Sequence, residues 1–363
     1  MRAAILQSSP GTLRVVDVEI AVPERDEVLI RTMAVGLCHS DLHIIDRGNS
    51  SNLPVVLGHE AAGIVEAVGP GVAYVKPGDH VVTCPSVFCG LCEWCVHGRP
   101  YLCESPAVRG GRPQGEEPRL RFDGGSVHQF SGIGAFAERA LVHQNHVVKI
   151  RDDMPLDRAS LLGCAVTVGL GAVFNTARVK LGDVVAVFGC GGVGLSVVQG
   201  AFLAGARQIV AVDLLESKLA MARQLGASDL VNSGTDTVVE QIIEMTKGGV
   251  DHAFEAIGLT RTAEQAFASL RPNGTATVIG MIPPGRVVRL LGASLLASRR
   301  IQGSSMGSNR FRVDVPRYVD LYLQGRLKLD ELVSSHITLD QLNEAFESVR
   351  AGEVVRYVLL FDQ

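Results

Sequence analysis

The sequence predicts an α/β protein in which a β-rich region is followed by a parallel sheet covered by helices. At 363 residues the chain is longer than one hydrophobic core usually supports, so we expect two domains. The first third alternates short apolar runs with turn signals. From about Ala165 apolar strands alternate with helical patterns, which is typical of βαβ units, and after about Arg299 the pattern is mixed again.

The predicted elements follow these textures in chain order. Strands of the first region are expected at Ala3–Leu6, Val28–Thr32, Gly63–Val68 and His80–Thr83. Strands of the parallel sheet are expected at Val184–Phe188, Gln208–Asp213, His252–Glu255 and Thr275–Gly280, with helices from Gly194 and Ser217. Two further helices are expected near Pro316–Gln324 and Leu339–Ala351.

Composition and charge favour a globular protein that acts on small molecules. Hydrophobic residues make up 47% and charged residues 20% of the chain, so disorder does not dominate. A net charge of −4 offers no electropositive surface for nucleic acid or for an anionic membrane. The uncharged stretch Val184–Ala206 is long enough for a membrane span, but it is rich in glycine and is predicted to be a buried strand, turn and helix.

The start of the chain and its cysteines predict a cytoplasmic protein. Residues 1–10 show no basic segment followed by an apolar core, so secretion is not indicated. The eight cysteines are grouped and are not spread like a disulfide framework, which favours metal binding in a reducing compartment.

Four cysteines form a tight cluster with the spacing Cys89-x2-Cys92-x2-Cys95-x7-Cys103. Four thiolates this close can surround one tetrahedral Zn²⁺. They leave no open coordination position, so this metal would be structural and would pin a lobe of the chain. The alternative is a group of reduced cysteines without metal.

A second metal site is suggested by Cys38, His59 and Cys164, which stand far apart in the sequence. Two thiolates and an imidazole would hold zinc on three sides and leave the fourth for water or substrate, as Lewis-acid catalysis requires. Spacing alone leaves the alternative open that each residue is an ordinary buried side chain.

A dinucleotide-binding loop is predicted where the strand Val184–Phe188 leads into Gly189-Cys190-Gly191-Gly192-Val193-Gly194. Gly189 would permit the tight turn, Gly191 the close approach of a pyrophosphate, and Gly194 the packing of helix on strand. An isolated GxGxxG could be only a glycine-rich turn. Here a predicted strand precedes the motif and a predicted helix follows it, which is typical of a Rossmann fingerprint.

Asp213 ends the next predicted strand and would accept hydrogen bonds from the adenosine ribose. Its charge would repel a 2′-phosphate, and Leu214 beside it supplies no cation, so NAD is expected in preference to NADP. Lys218 is near enough to reach the same ribose, although a solvated helix cation is an equal alternative.

Together these motifs resemble those of zinc-containing alcohol dehydrogenases of the medium-chain dehydrogenase/reductase superfamily, over essentially the whole chain. Gly58-His59-Glu60-x2-Gly63-x5-Gly69-x2-Val72 resembles the family's zinc signature, and Leu162-Gly163-Cys164 resembles its third catalytic ligand site. The resemblance implies a Rossmann doubly wound parallel sheet inserted in a GroES-like β-rich catalytic domain. The implied domains are 1–165 with the structural-zinc lobe, 166–299 for NAD, and 300–363 as the return to the catalytic domain.

The resemblance also implies roles for single residues and two zinc ions per subunit. Ser40 would contact the substrate hydroxyl, and His43 would continue a proton relay to solvent. Asp41 would be a partner of His59, and Glu60 a carboxylate near the metal. His39 and Arg356 match positions that contact the cofactor pyrophosphate.

The implied activity is hydride transfer between a small-molecule alcohol and NAD⁺, and a primary alcohol is the expected substrate. The long segment Glu104–Gly134 resembles that of dimeric relatives, so a homodimer is expected, and the segment itself is expected to be a surface lobe or a partly functional loop. A thiol-adduct formaldehyde dehydrogenase or a nicotinoprotein of the same fold is the main alternative. A zinc-knuckle binding module is a more distant one, since the residues around the cysteine cluster are not basic and aromatic.

Overall fold

The computed structural model describes residues 1–47, 52–109, 111–112, 115–352 and 354–361, and the chain divides into two compact units. The first unit contains Met1–Cys164 and Arg310–Gln363, and the second contains Ala165–Asn309. The first unit is therefore assembled from both ends of the chain.

Within the described residues of the first unit, the strands form three sheets. One has the strand order β10-β5-β1-β2, the second β12-β7-β6-β4-β20-β19 with β11 also paired to β4, and the third β3-β8-β9. The strands are β1 (Arg2–Leu6), β2 (Leu13–Asp17), β3 (Glu19–Ile20), β4 (Glu27–Gly36), β5 (Val55–Val56), β6 (Glu60–Val68), β7 (His80–Thr83), β8 (Leu120–Phe122), β9 (Gly125–Ser126), β10 (His128–Gln129), β11 (Arg139–His143), β12 (Val147–Lys149), β19 (Ser335–Ile337) and β20 (Tyr357–Leu360).

Short helices connect these strands. They are α1 (His39–Arg47), α2 (Glu93–Val96), α3 (Pro106–Arg109), α4 (Leu156–Ser160), α10 (Phe311–Leu323) and α11 (Leu342–Ala351). The core of the unit is a continuous apolar cluster in which Phe136 packs edge-on against Phe346 of α11, with ring centroids 6.0 Å apart. The C-terminal part of the chain thereby completes the hydrophobic core of the first part.

The second unit is a six-stranded parallel sheet with the order β15-β14-β13-β16-β17-β18. Its strands are β13 (Val184–Phe188), β14 (Gln208–Asp213), β15 (Asp229–Asn232), β16 (Val250–Glu255), β17 (Leu270–Val278) and β18 (Arg300–Gly303). Its helices are α5 (Ala165–Gly171), which continues as a π-helix over Ala172–Ala177, α6 (Gly192–Leu203), α7 (Glu216–Gln224), α8 (Val238–Met245) and α9 (Thr260–Ala268). The central strand β13 is buried along its whole length, as an unbroken run of valine, alanine and phenylalanine predicts for a sheet covered on both faces.

The structure corrects the predicted end of the second domain. We expected the chain to return to the first domain at residue 300. Instead β18 pairs in parallel with β17, Thr275 opposite Arg300, so residues 300–309 lie with the parallel sheet. The edge strand β18 is mostly polar and exposed, so its sequence lacks the apolar run that predicts a strand.

The segment Glu104–Gly134 is less of a surface lobe than predicted. Within its described residues, β8 pairs with β3, and β10 pairs with β5. Leu120 and Ile133 are buried in the core of the first unit. The segment is thus anchored at several points by strand pairing and apolar contacts.

Among the described residues, no single helix is long and apolar enough to cross a membrane. One bent pair, Leu156–Gly163 with Ala165–Ala177, meets the criteria of length and composition only.

Candidate functional site

Two neighbouring antiparallel strands bring the first two predicted metal ligands together. Gly36 at the end of β4 lies opposite Glu60 at the start of β6. Cys38 follows the first strand end and His59 precedes the second, so both side chains are held at the same edge of the sheet.

Cys164 reaches the same place through a tight packing contact. The turn Leu161–Gly163 precedes it, and a side chain at Gly163 would place a Cβ 2.7 Å from the carbonyl oxygen of Thr83. The glycine therefore lets the chain pass close enough for Cys164 to join the cluster.

The ligand atoms of Cys38, His59, Glu60 and Cys164 all lie within 4.8 Å of one another, and all four residues are buried. Zinc binds thiolate sulfur, imidazole nitrogen and carboxylate oxygen, and it usually takes four such ligands in a tetrahedron. Glu60 Oε2 is buried without a hydrogen-bond partner among the described residues, and a bound cation would satisfy it. The residues present therefore fit a zinc ion.

Asp41 orients the histidine of this cluster. Its Oδ1 atom accepts a hydrogen bond from the Gly58 N–H at 2.9 Å and lies 3.3 Å from His59 Nδ1. A carboxylate on Nδ1 fixes the imidazole so that Nε2 is free to bind a metal. Phe130 packs edge-on against the same ring, with centroids 5.4 Å apart.

We expect Asp41→Asn to weaken the catalytic metal site without unfolding the protein. The amide keeps an acceptor for Gly58 but loses the charge that supports His59, and such partners are typically worth about 10–100-fold in metal affinity or activity. Chelator competition for zinc, followed alongside kcat, would measure the effect. Asp46→Asn on the same helix, where the carboxylate pairs with exposed Arg350, is the control and should behave like wild type. Equal zinc retention in both variants would contradict the assignment.

The other predicted catalytic residues lie on α1, close to the cluster. Ser40 Oγ is 3.7 Å from Cys38 Sγ. His43 is half-buried one turn further along the helix, whereas His39 at its start is exposed. The structure thus brings Ser40 to the metal ligands, and the roles predicted for His39 and His43 stay predictions.

Arg356 lies beside Glu60, a contact that sequence reasoning missed. Its Nη1 atom is 3.2 Å from Glu60 Oε1 and donates a hydrogen bond to the Leu37 carbonyl at 2.5 Å. Both side chains of the ion pair are almost fully buried. Pyrophosphate binding by Arg356 remains a prediction, and its observed partner is the carboxylate of the metal cluster.

Burial and neighbouring groups shift the pKa values of the acidic side chains in this cluster. A hydrogen bond from Cys164 and the charge of Arg356 hold the pKa of Cys38 well below that of a free thiol, while the same hydrogen bond and burial raise the pKa of Cys164. Burial raises the pKa of Glu60 to about 8, against the opposing charge of Arg356. A divalent cation would favour the ionised form of every thiol and carboxyl that binds it.

The cysteine cluster forms a separate lobe around α2. The Sγ atom of Cys95 lies 3.5 Å from that of Cys92 and 4.0 Å from that of Cys89. Backbone N–H groups of Leu91 and Cys92 donate to Cys89 Sγ, and they lower the pKa of Cys89 to about 6. With Cys103, the four sulfurs can bind one metal ion and fit zinc.

The glycine-rich loop has the backbone that the sequence predicts. Gly189 adopts a φ of +95°, and a Cβ on Gly194 would lie 1.7 Å from the Gly189 carbonyl oxygen. Gly192 and Val193 begin α6, whose N-cap is Gly191. A Cβ on Gly191 would meet nothing within 4 Å, so open space lies in front of this helix N-terminus, where a pyrophosphate would be favoured.

Asp213 is fixed next to this loop. Its Oδ2 atom accepts a hydrogen bond from the Cys190 N–H at 2.7 Å, and its Oδ1 atom accepts one from the Leu215 N–H at 3.0 Å. Lys218 is half-buried in the first turns of α7. The carboxylate is thereby held rigidly at the carboxyl end of β14, where a nucleotide ribose is bound in sheets of this topology.

Comparison with known proteins agrees with both halves of this description. Residues 24–152 match the model of the alcohol dehydrogenase GroES-like domain, and residues 192–323 match that of the zinc-binding dehydrogenase domain. The S-(hydroxymethyl)glutathione dehydrogenase of Paracoccus denitrificans is 35% identical over 99% of both chains. The class-3 alcohol dehydrogenase of Pisum sativum is 36% identical over 99% of this chain and 97% of its own.

Solved structures give the same result. A zinc-binding-domain alcohol dehydrogenase protein from Burkholderia ambifaria has a TM-score of 0.95 and 37% identity, and covers 100% of this chain and 99% of its own. The benzyl alcohol dehydrogenase of Acinetobacter calcoaceticus has a TM-score of 0.94 and 34% identity over 99% of both chains. The predicted fold class, a Rossmann sheet inserted in a GroES-like domain, is confirmed. The chain belongs to the zinc-containing alcohol dehydrogenases of the medium-chain dehydrogenase/reductase superfamily and is an oxidoreductase.

Proposed function

We propose that this protein oxidises a primary alcohol to the aldehyde with NAD⁺, and carries out the reverse reduction, at the cluster of Cys38, His59 and Cys164. The observation that carries the proposal is the approach of these three ligand atoms, with that of Glu60, to within 4.8 Å of one another. In a chain of this family, such a three-residue set leaves one position for an alcohol oxygen.

The proposed mechanism assigns proton transfer to residues of α1. A zinc ion at the cluster would supply Lewis acidity toward the alcohol oxygen, and a nicotinamide would supply the hydride acceptor. Ser40 lies next to the predicted metal ligand Cys38, with its Oγ 3.7 Å from the Cys38 Sγ. At this place Ser40 would accept the hydroxyl proton of the substrate. His43, one helical turn away, would pass the proton toward solvent.

Glu60 and Arg356 would stabilise the metal cluster from the side away from solvent. Burial of an unpaired Glu60 carboxylate would be costly, and Arg356 at 3.2 Å offsets part of that cost. Cys89, Cys92, Cys95 and Cys103 would hold a second, structural zinc ion.

The cofactor proposal rests on Gly189, Gly191 and Gly194 for the pyrophosphate and on Asp213 for the adenosine ribose. Lys218 would reach the same ribose, and His39 would contact the pyrophosphate. A fixed carboxylate next to the ribose favours NAD, because the 2′-phosphate of NADP would be repelled.

Asp213→Asn is expected to weaken NAD binding about tenfold and to improve NADP binding relative to NAD. The amide removes the repelling charge, and it cannot accept from both the Cys190 and Leu215 N–H groups, which costs about the energy of one hydrogen bond to a charged group. Titration of intrinsic fluorescence with both cofactors gives the two Kd values. Asp236→Asn, at an exposed carboxylate that pairs with Arg261, is the control. A Kd ratio equal to that of wild type would exclude Asp213 from the ribose site.

A thiol adduct is the second candidate substrate, because several relatives that are 35–38% identical over nearly the whole chain are S-(hydroxymethyl)glutathione dehydrogenases. The benzyl alcohol dehydrogenase structure favours a simple alcohol to a similar degree. Purified protein should be assayed with primary, secondary and aromatic alcohols and with formaldehyde plus glutathione, using NAD and NADP. Activity with formaldehyde only in the presence of the thiol would favour the second candidate, and absence of activity with any of these substrates would contradict both. NAD that copurifies and does not exchange would indicate a nicotinoprotein.

We also propose a homodimer in the cytoplasm. The edge strand β18 and the segment before it expose large apolar side chains, which a second copy of the chain could cover: Val287, Leu291, Leu295, Leu296 and Ile301. Free cysteines throughout the described residues suit a reducing compartment. Light scattering after gel filtration would measure the oligomeric state.

A further inference from the structure

A cavity of about 860 Å³ lies in the first unit and is lined largely by described residues between Arg109 and Gly132. None of the three predicted ligands of the catalytic zinc, Cys38, His59 and Cys164, lines it. Its volume is within the range of sites that bind drug-sized molecules. The proposed function assigns no role to this space.

One buried polar group at the cavity is the guanidinium of Arg119. Its side chain is 8% exposed, and its Nε donates to Glu27 Oε1 at 2.7 Å. Neither terminal nitrogen of Arg119 donates a hydrogen bond to a described residue. A buried guanidinium has five N–H donors, so four of them remain for a partner in the cavity.

Arg112 supports Arg119 and is itself fully engaged. It donates to both Glu27 oxygens, at 2.7 and 3.3 Å, and lies 3.3 Å from Glu24. Glu27 thus neutralises Arg112 from one side and contacts only the Nε edge of Arg119. The ion cluster fixes the Arg119 side chain, which lines the cavity, and leaves its terminal N–H groups without a partner among the described residues.

A third arginine, Arg109, lines the cavity beside Arg112 and Arg119. Arg109, at the end of α3, is exposed and forms no ion pair with a described residue. The one carboxylate among the described lining residues, Glu116, is exposed to solvent. The cavity therefore presents two guanidinium groups available to an anion, one of them buried.

The remaining walls combine apolar side chains with polar ones, among them Asn52, His128 and Gln129. Ile44, Val55, Val127 and Phe130 line the cavity together with Pro118. The ring of Phe130 also contacts the imidazole of His59, with centroids 5.4 Å apart. A ligand here would need an acidic group for the arginines and an apolar body for the walls.

From these contacts we propose that the cavity binds a small organic carboxylate with an apolar body, its acidic group on Arg119 and Arg109. Bidentate hydrogen bonding from a planar guanidinium matches a carboxylate closely. None of the described metal-cluster residues lines this cavity, although Phe130 lies between the cavity and His59, and the proposal does not depend on the dehydrogenase activity.

Calorimetric titration of the purified protein with benzoate tests the site, with benzamide as the neutral isostere. We expect benzoate to bind at one cavity site and benzamide at least about tenfold more weakly, since a charged hydrogen-bonded pair is typically worth about 1.5–3 kcal/mol. Benzoate could also bind a catalytic zinc ion, so the titration is repeated with Cys164→Ala, in which the cavity site should persist. Loss of all benzoate binding in that variant would overturn the proposal and leave the proposed function intact.

Two variants locate the site. Arg119→Met should weaken benzoate binding by at least about tenfold. Arg119→Met also leaves Glu27 with one partner fewer, so a second variant is needed. Ser126→Trp would fill the cavity from the exposed strand β9 and leave the arginine cluster intact. Arg25→Met, at an exposed arginine outside the cavity, should bind benzoate like wild type. Unchanged binding in Ser126→Trp, or no saturable binding by wild type at millimolar benzoate, would overturn the proposal.

Discussion

Replacing Cys164 with alanine is expected to remove one of two zinc ions per chain and to lower kcat by about 10³-fold or more. A Lewis-acid metal is worth several kcal/mol of transition-state stabilisation, and each 1.36 kcal/mol is a factor of about ten in rate. The loss of Cys164 would leave Cys38, His59 and Glu60, which include one soft ligand instead of two.

The fold should survive this change, because Cys164 lies at the end of a turn and its sulfur contacts the other metal ligands. Zinc per chain, measured by atomic emission, and kcat would be determined on the same preparation, with circular dichroism as the check of folding. Cys84→Ala is the matched control: Cys84 is another fully buried cysteine of the first unit, outside both metal clusters. Two zinc ions and near-normal turnover in Cys164→Ala would refute the ligand assignment.

The two metal sites differ in how far sequence alone could reveal them. The structural cluster is local, since its four cysteines lie between positions 89 and 103, and their spacing carries the prediction. Cys38, His59 and Cys164 come together only through the pairing of β4 with β6 and the close packing at Gly163. The spacing of these three residues along the chain does not indicate those contacts, so the prediction of the catalytic metal site depended on the resemblance to a family.

Element boundaries were predictable where burial is continuous. Val184–Phe188 and Gln208–Asp213 coincide with β13 and β14, because a strand buried on both faces is an unbroken apolar run. The helix predicted from Pro316 instead begins at Phe311, and the proline lies inside it. Asp314 accepts a hydrogen bond from the Arg310 N–H at 2.8 Å and stabilises this earlier start.

The charged pairs that shape the first unit were not predictable. Arg119 and Glu27 are 92 positions apart, and Arg356 and Glu60 join the two ends of the chain. An isolated arginine or glutamate usually belongs to a solvated surface, so nothing in the sequence marks these four as buried. Only the tertiary fold identifies Arg356 as a neighbour of the metal cluster and Arg119 as a wall of the cavity.

Cys95→Ala is expected to lower the thermal stability of the protein and to leave its catalytic site competent. The lobe around α2 has only three buried apolar residues, Val87, Cys103 and Val108, so it cannot be held by a hydrophobic core. Zinc bound by four thiolates contributes folding free energy directly.

With three ligands left, the lobe should bind zinc weakly and open locally. For a protein of this size, each kcal/mol of unfolding free energy that is lost lowers Tm by about 2–4 °C. When the lobe unfolds together with the first unit, a loss of several kcal/mol is therefore visible as a clear decrease in Tm. The measurements are zinc per chain, Tm with and without chelator, and limited proteolysis across residues 89–103. Wild type should become similarly sensitive after chelation, whereas Cys84→Ala without chelator should resist proteolysis like untreated wild type. Cys95→Ala should keep one zinc ion and substantial turnover at low temperature, because the catalytic ligands come from other parts of the chain. Complete loss of turnover in folded Cys95→Ala would show that the two metal sites are not independent.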